Sequence, residues 1–181
     1  MRSLWARTAP APADVVTRAG LPRGEKVLAA ARSEDGTWVL GTRDALVLVP
    51  AAPEGETAPA AVTRIAWERV QAADWSRDDD RLRVSEVGEY GRPRPVHEVV
   101  LTEPGMLLQL VRERVTASVV LQRRVEGTGG RGLTVVARRP PRGGDVDWAY
   151  ELDPGLDPDD PEVRSLAESG LRAAADELGL G

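Results

Sequence analysis

Apolar residues recur at every second position between residues 25 and 102, in short runs separated by polar or glycine-containing turns. In residues 81–87, for example, Leu82 and Val84 alternate with charged and polar residues. This spacing is typical of strands with one buried face. It predicts seven short antiparallel strands, at residues 25–32, 37–42, 45–49, 64–67, 70–75, 81–87 and 96–102.

The apolar spacing changes to every third or fourth residue after Gly105, from Leu107 to Val115. This period predicts an amphipathic helix that ends near Thr116 or Ala117. Because a helix with one apolar stripe has to bury it, we expect the helix to close the open end of a strongly bent sheet. The predicted fold class is therefore α+β, with a seven-stranded antiparallel β-barrel capped by a helix over residues 21–117.

The barrel is expected to be flanked by two further segments. Residues 1–20 form an N-terminal segment, with a short helical turn over residues 14–20 for which Asp14 is a candidate N-cap. Residues 118–181 predict a βββα extension, with strands at 118–125, 132–138 and 146–152. Its helix is expected to begin at Pro161 with Asp160 as cap.

Three stretches resemble bacterial pleckstrin-homology-like domains: residues 24–30 (GEKVLAA), 41–49 (GTRDALVLV) and 64–70 (RIAWERV). Their order resembles that of the family's opening strand, second hairpin and fourth strand. The resemblance covers residues 20–117, and the chain as a whole looks like a group of bacterial proteins of unknown function. The resemblance to pleckstrin-homology-like domains implies the barrel-and-helix fold more than an activity, since this fold serves lipid, peptide and assembly roles alike. The first hairpin loop, residues 33–36, is acidic, which disfavours inositol phosphate binding there.

Composition narrows the function classes. The chain of 181 residues has no cysteine, which excludes disulfides, thiolate metal sites and cysteine nucleophiles. No apolar run has the length of a signal peptide or a membrane span, so we expect a cytoplasmic protein.

The net charge of −5 is unevenly distributed. Residues 112–142 contain eight arginines and two glutamates (+6), whereas residues 143–181 contain two arginines and eleven acidic residues (−9). The favoured interpretation is that the acidic segment folds beside the arginines and neutralises them. The alternative is an anion-binding surface for nucleic acid or acidic lipid on the predicted arginine-rich hairpin. Its candidate residues are Arg123, Arg124, Arg131, Arg138, Arg139 and Arg142.

The other sequence features give little support for nucleotide binding, catalysis or metal binding. The spacing of Gly127, Gly129 and Gly132 matches G-x-G-x-x-G, but strand-forming residues follow where the dinucleotide fingerprint requires a helix. His97 is the only histidine, and the neighbouring Glu98 points to the opposite face of its strand. The acidic groups at residues 78–80 and 153–160 lack the pattern of a calcium loop. We therefore expect no catalytic residue, no cofactor and no metal.

These observations favour a non-enzymatic protein-binding or scaffold module that acts through an uncovered sheet edge or helix face. The expected partner is a protein, either a different chain or a second copy. An anionic-surface binder is the alternative, and an enzyme the third hypothesis.

Overall fold

The computed structural model describes residues 10–51, 61–89 and 92–180, so residues 1–9 of the predicted N-terminal segment lie outside it. The described residues contain ten strands and three α-helices. In chain order they are α1 (Ala13–Arg18), β1 (Val27–Arg32), β2 (Trp38–Thr42), β3 (Ala45–Val49), β4 (Thr63–Ala66), β5 (Val70–Ser76), β6 (Arg81–Glu86), β7 (Val96–Val100), α2 (Leu107–Ser118), β8 (Val119–Glu126), β9 (Gly132–Arg138), β10 (Asp147–Leu152) and α3 (Pro161–Glu177).

The prediction of a closed seven-stranded barrel is wrong. The strands form three separate antiparallel sheets, with the orders β1-β2-β3-β4, β5-β6-β7 and β10-β9-β8. A 3-10 turn at Trp67–Arg69 occupies the end of the predicted fourth strand, and β4 and β5 do not pair. Strands β1 and β7 do not pair either, although the amide of Glu34, two residues after β1, donates to the carbonyl oxygen of Val100, the last residue of β7 (3.2 Å). Apolar alternation specifies the buried face of a strand but leaves open whether two edges meet.

The first two sheets nevertheless share one core with α2. Leu46 and Ile65 from the first sheet, Leu82 and Val84 from the second, and Val111 from α2 belong to the same buried cluster. Trp67 lies in this cluster with no exposed surface, and its indole Nε1 donates to the Thr42 carbonyl oxygen (3.1 Å). The helix thus buries its apolar stripe between two open sheets.

The four-stranded sheet is buried on both faces. Every residue of β3 is buried, with Leu46 and Leu48 facing the shared core and its other three residues in a second cluster. That second cluster includes Val15 and Ala19 at α1. The N-terminal helix therefore covers the outer face of this sheet. Asp14 lies inside α1 and does not cap it, because the N-cap is Pro12.

The C-terminal residues form the third sheet, which packs against α3. Leu133 and Val135 from β9 share a cluster with Ala167 and Ala174 from α3. The side chain of Asp160 accepts from the Glu162 amide (2.8 Å), which makes it the N-cap of α3, with Pro161 in the first turn. On the other face of this sheet, Val136 and Ala149 pack against Val87, the residue that directly follows β6.

Candidate functional site

Two of the candidate arginines pair with the acidic C-terminal segment. Arg124 binds the Asp153 carboxylate through Nη1 (2.8 Å) and Nη2 (2.5 Å). Arg123 donates from Nη1 to an oxygen of Glu177 in α3 (3.0 Å). Both contacts match the favoured interpretation of the charge distribution, in which the acidic segment neutralises the arginines.

Two further arginines also have partners elsewhere in the chain. Arg142 reaches the loop between β2 and β3, where Nε and Nη2 donate to Asp44 Oδ2 (2.9 and 2.5 Å). The Arg142 guanidinium lowers the pKa of Asp44 below its ordinary value. Arg131 makes a long contact from Nη1 to the Gly155 carbonyl oxygen (3.5 Å).

Arg138 and Arg139 lie at the boundary between the third sheet and β5. Arg138 is 3% exposed and donates to Ser118 Oγ and to the Gln71 carbonyl oxygen, both at 2.9 Å. Burial lowers the pKa of its guanidinium, and the negative charge of Glu151 opposes this shift. Arg139 is half-buried, and its amide donates to the Ser118 carbonyl oxygen (2.8 Å). The Arg138 side chain thus holds the two elements together, and with Arg138 buried the six candidates do not form one free basic surface.

The Arg124–Asp153 pair predicts a dependence of stability on acid pH. The hydrogen bonds from Arg124 and from the Gly132 amide lower the pKa of Asp153 from 3.8 to about 2. A carboxylate whose folded pKa is depressed stabilises the fold above its unfolded pKa, and loses this contribution as the pH falls through the folded value. We expect Asp153→Asn to lower the Tm by a few degrees at neutral pH, and the difference from the wild type to vanish near pH 2. Thermal unfolding followed by circular dichroism across this pH range measures it.

Asp78→Asn serves as the control, since Asp78 is exposed in the turn between β5 and β6. A Tm difference for Asp153→Asn that stayed constant down to the lowest pH would contradict the assignment.

His97 lies on β7 with a carboxylate partner that the sequence does not indicate. Its Nε2 is 2.6 Å from Glu86 Oε1, and both side chains are about one quarter exposed. Glu86 lies on β6, so only the pairing of the two strands brings these residues together. The described residues contain no group of three or more histidine, aspartate or glutamate side chains placed to hold a metal ion. The strand β9 begins at Gly132, so a hairpin surrounds the glycine motif, as the sequence indicates.

A groove between β5 and α2 is the candidate binding site that the geometry favours. It has a volume of about 390 Å³. Ala73 and Trp75 of β5 form one wall, and Leu108, Val111 and Val115 of α2 form the other. The helix residues are spaced three and four apart, so they lie on one face of α2. The groove is thus a largely apolar channel along a strand.

One side of β5 is an open sheet edge. Strand β5 pairs with β6 alone, and within the described residues the backbone of residues 72–76 makes no hydrogen bond outside its own sheet. The carbonyl oxygen of Gln71, near the start of the strand, accepts a hydrogen bond from Arg138. The free edge therefore runs alongside the groove, downstream of the point where the third sheet contacts β5.

Arg112 lies on the rim of this groove. Its side chain is exposed, and the part of the chain that the structure describes provides it with no ion pair or hydrogen bond. Trp75 is half-buried in the wall, whereas Trp67 is fully buried. The sequence predicts that both tryptophans fill the core. The structure distinguishes them, because Trp75 keeps part of its surface exposed in the groove.

Comparison of the chain with protein-family models, with curated proteins and with solved structures gives no significant match. The resemblance to pleckstrin-homology-like domains thus stays a prediction, and its expected closed barrel is absent. None of the helices among the described residues is long and apolar enough to cross a membrane.

Proposed function

We propose that this chain is a non-enzymatic protein-binding module that receives an extended segment of a partner protein between β5 and α2. The observation that carries the proposal is the coincidence of an open strand edge with an apolar groove. A bound strand satisfies edge backbone groups by hydrogen bonding, while its alternate side chains fill pockets beside the edge. In this mode of binding, the backbone hydrogen bonds along β5 supply affinity, and the fit of the partner's side chains in the groove supplies specificity.

The groove chemistry defines the partner segment. Its apolar walls require apolar side chains at alternate positions, because strand side chains alternate between two faces. Arg112 on the rim favours an acidic side chain or a terminal carboxylate, since a guanidinium pairs well with a carboxylate. We therefore expect a segment with two or more alternating apolar residues and a neighbouring carboxylate.

A different chain fits this site better than a second copy. The net charge of −5 gives two copies an overall repulsion, which disfavours self-association. An anionic-surface function has less support, because Arg123, Arg124 and Arg142 each bind a carboxylate of the chain itself.

The test begins with selection of peptides from a displayed random library on the full-length chain. We expect the selected peptides to carry the alternating apolar pattern with an acidic residue. Hydrogen exchange should show protection of the amides in β5 and α2 on peptide binding. Protection elsewhere, or a dimer that dissociates on dilution and excludes the peptide, would contradict the proposal.

Charge reversal at the rim tests the expected acidic residue. Arg112→Glu should weaken binding of an acidic selected peptide about tenfold, equivalent to about 1.4 kcal/mol, because it replaces an attraction by a repulsion. Fluorescence anisotropy with a labelled peptide measures the change. Arg164→Glu on α3 makes the same charge change at an exposed residue outside the groove, and should leave the affinity unchanged.

A further inference from the structure

A row of charged side chains crosses the outer face of the second sheet and ends at the open edge of β5. Asp74 lies directly opposite Arg83, and Arg83 lies directly opposite Glu98. All three side chains are exposed, on the face opposite to that of the buried Leu82 and Val84. The charges therefore alternate in sign from β7 to β5, and the last of them is negative.

Asp74 is the charge of this row that has no partner within the chain. Glu98 pairs with two arginines of β6, at 2.8 Å from Arg81 Nη1 and 3.3 Å from Arg83 Nε. Asp74 takes part in no ion pair or hydrogen bond with any residue that the structure describes. Its carboxylate is thus available to a cation on a strand added at the edge of β5.

The backbone of β5 determines how an added strand would pair. Neighbouring residues of a strand turn their N–H and C=O groups to opposite sides. The Glu86 amide donates to a carbonyl oxygen on the side of β7 (2.9 Å), so Arg83, three residues earlier, turns its backbone groups towards β5. Asp74 lies opposite Arg83 and therefore bonds to β6. Its neighbours Ala73 and Trp75 turn their N–H and C=O groups to the open edge.

This alternation assigns a face of the sheet to each residue of a bound strand. The two residues that pair with Ala73 and Trp75, which we call the anchor residues, place their side chains on the groove side, because both wall residues line the groove. The residue between the anchors lies opposite Asp74, with its side chain on the outer face. In an antiparallel pair this position brings opposing side chains closest together.

We propose that the partner segment carries a lysine or arginine between its two anchor residues, where it pairs with Asp74 across the edge of β5. The inference rests on the proposed function, since it needs a strand at this edge. The cation extends the alternating row by one strand, and it lies closer to Asp74 than to Arg83. An acidic residue at the same position would face a like charge, which is destabilising.

This cation is distinct from the acidic residue that Arg112 favours. Arg112 belongs to α2, which packs on the inner face of the sheet, whereas Asp74 lies on the outer face. The two charges of the partner segment therefore meet opposite faces of the same sheet. Together with the anchors they define a segment with the order apolar, basic, apolar and a separate acidic residue near α2.

The peptides selected on the full-length chain give the first measurement. We expect lysine or arginine to be enriched between the two anchors, and aspartate and glutamate to be depleted there. A selected peptide is then synthesised with lysine, glutamine or glutamate at this position. By fluorescence anisotropy, the lysine peptide should bind about fivefold more tightly than the glutamine peptide, the upper range for an opposite-charge cross-strand pair. The glutamate peptide should bind most weakly.

Hydrogen exchange checks the register of the bound strand. The amides of Ala73 and Trp75 should gain protection when the lysine peptide binds. The amide of Asp74 already bonds to β6, so its protection should change little.

Variants of Asp74 separate charge pairing from a general loss of binding. Asp74→Asn should remove the preference for lysine, and Asp74→Arg should reverse it, so that the glutamate peptide binds best. A merely structural role of Asp74 would weaken all three peptides alike and would not reverse their order. Asp176→Arg makes the same charge change at an exposed residue of α3 and should leave the order of the peptides unchanged.

The outcomes distinguish this inference from the proposed function. If peptides protect β5 but bind equally with lysine, glutamine and glutamate, the inference is wrong and the proposed function stands. A preference for lysine that persisted in Asp74→Asn would also overturn the inference alone. If no peptide binds, or if protection lies away from β5, the proposed function fails and the inference fails with it.

Discussion

Replacement of Trp67 by alanine is expected to lower the free energy of unfolding by about 3–5 kcal/mol. The side chain has no exposed surface and belongs to the core shared by both sheets and α2. Its removal leaves a large cavity and also leaves the Thr42 carbonyl oxygen without its indole donor. A loss of this size is a large fraction of the stability of an ordinary domain, about 5–15 kcal/mol, so the variant should unfold at a much lower urea concentration than the wild type.

Urea denaturation measures this effect, and Trp67→Phe provides the matched control. Phenylalanine keeps most of the buried volume but lacks the Nε1 donor, so it should cost much less than alanine. If alanine at residue 67 proved as mild as phenylalanine, the described core around α2 would be wrong.

Substitution of Gly132 by alanine should destabilise the chain by about 3 kcal/mol, at the upper end for an overpacked position. An added β-carbon would lie 2.1 Å from the Val125 carbonyl oxygen, across the β8–β9 pair. Because this obstacle is backbone, a change of rotamer cannot relieve the clash. The Gly132 amide also donates to Asp153 Oδ2 (2.8 Å), so the displaced hairpin would disturb the Arg124–Asp153 pair.

Gly129→Ala is the control for this prediction. Gly129 lies in the same turn with φ at +71°, but an added β-carbon would meet nothing within 4 Å. Only the strain of a left-handed alanine remains there, about 1 kcal/mol. Urea denaturation should rank the two variants clearly, and equal losses would show that backbone strain, not the close approach, requires glycine in this hairpin.

The binding surfaces were harder to predict from sequence than the elements. Arg138 and Arg124 look equivalent in the sequence, yet one is buried at a sheet boundary and the other forms an exposed ion pair. The sequence predicted an interaction through an uncovered sheet edge or helix face but gave it no position, because the groove beside β5 depends on how closely α2 approaches that strand.

Apolar spacing by itself determined which segments are strands and which are helices. The period changes from two to three or four after Gly105, and the structure has α2 there at Leu107–Ser118. The sequence also predicted Asp160 as the N-cap of α3, because a cap is a contact between residues close in sequence. Tertiary structure alone decided that the seven strands divide into two open sheets and leave β5 with a free edge. Edge pairing depends on the bend at Trp67–Arg69 and on the packing of α2, which are contacts between distant residues that no local period encodes.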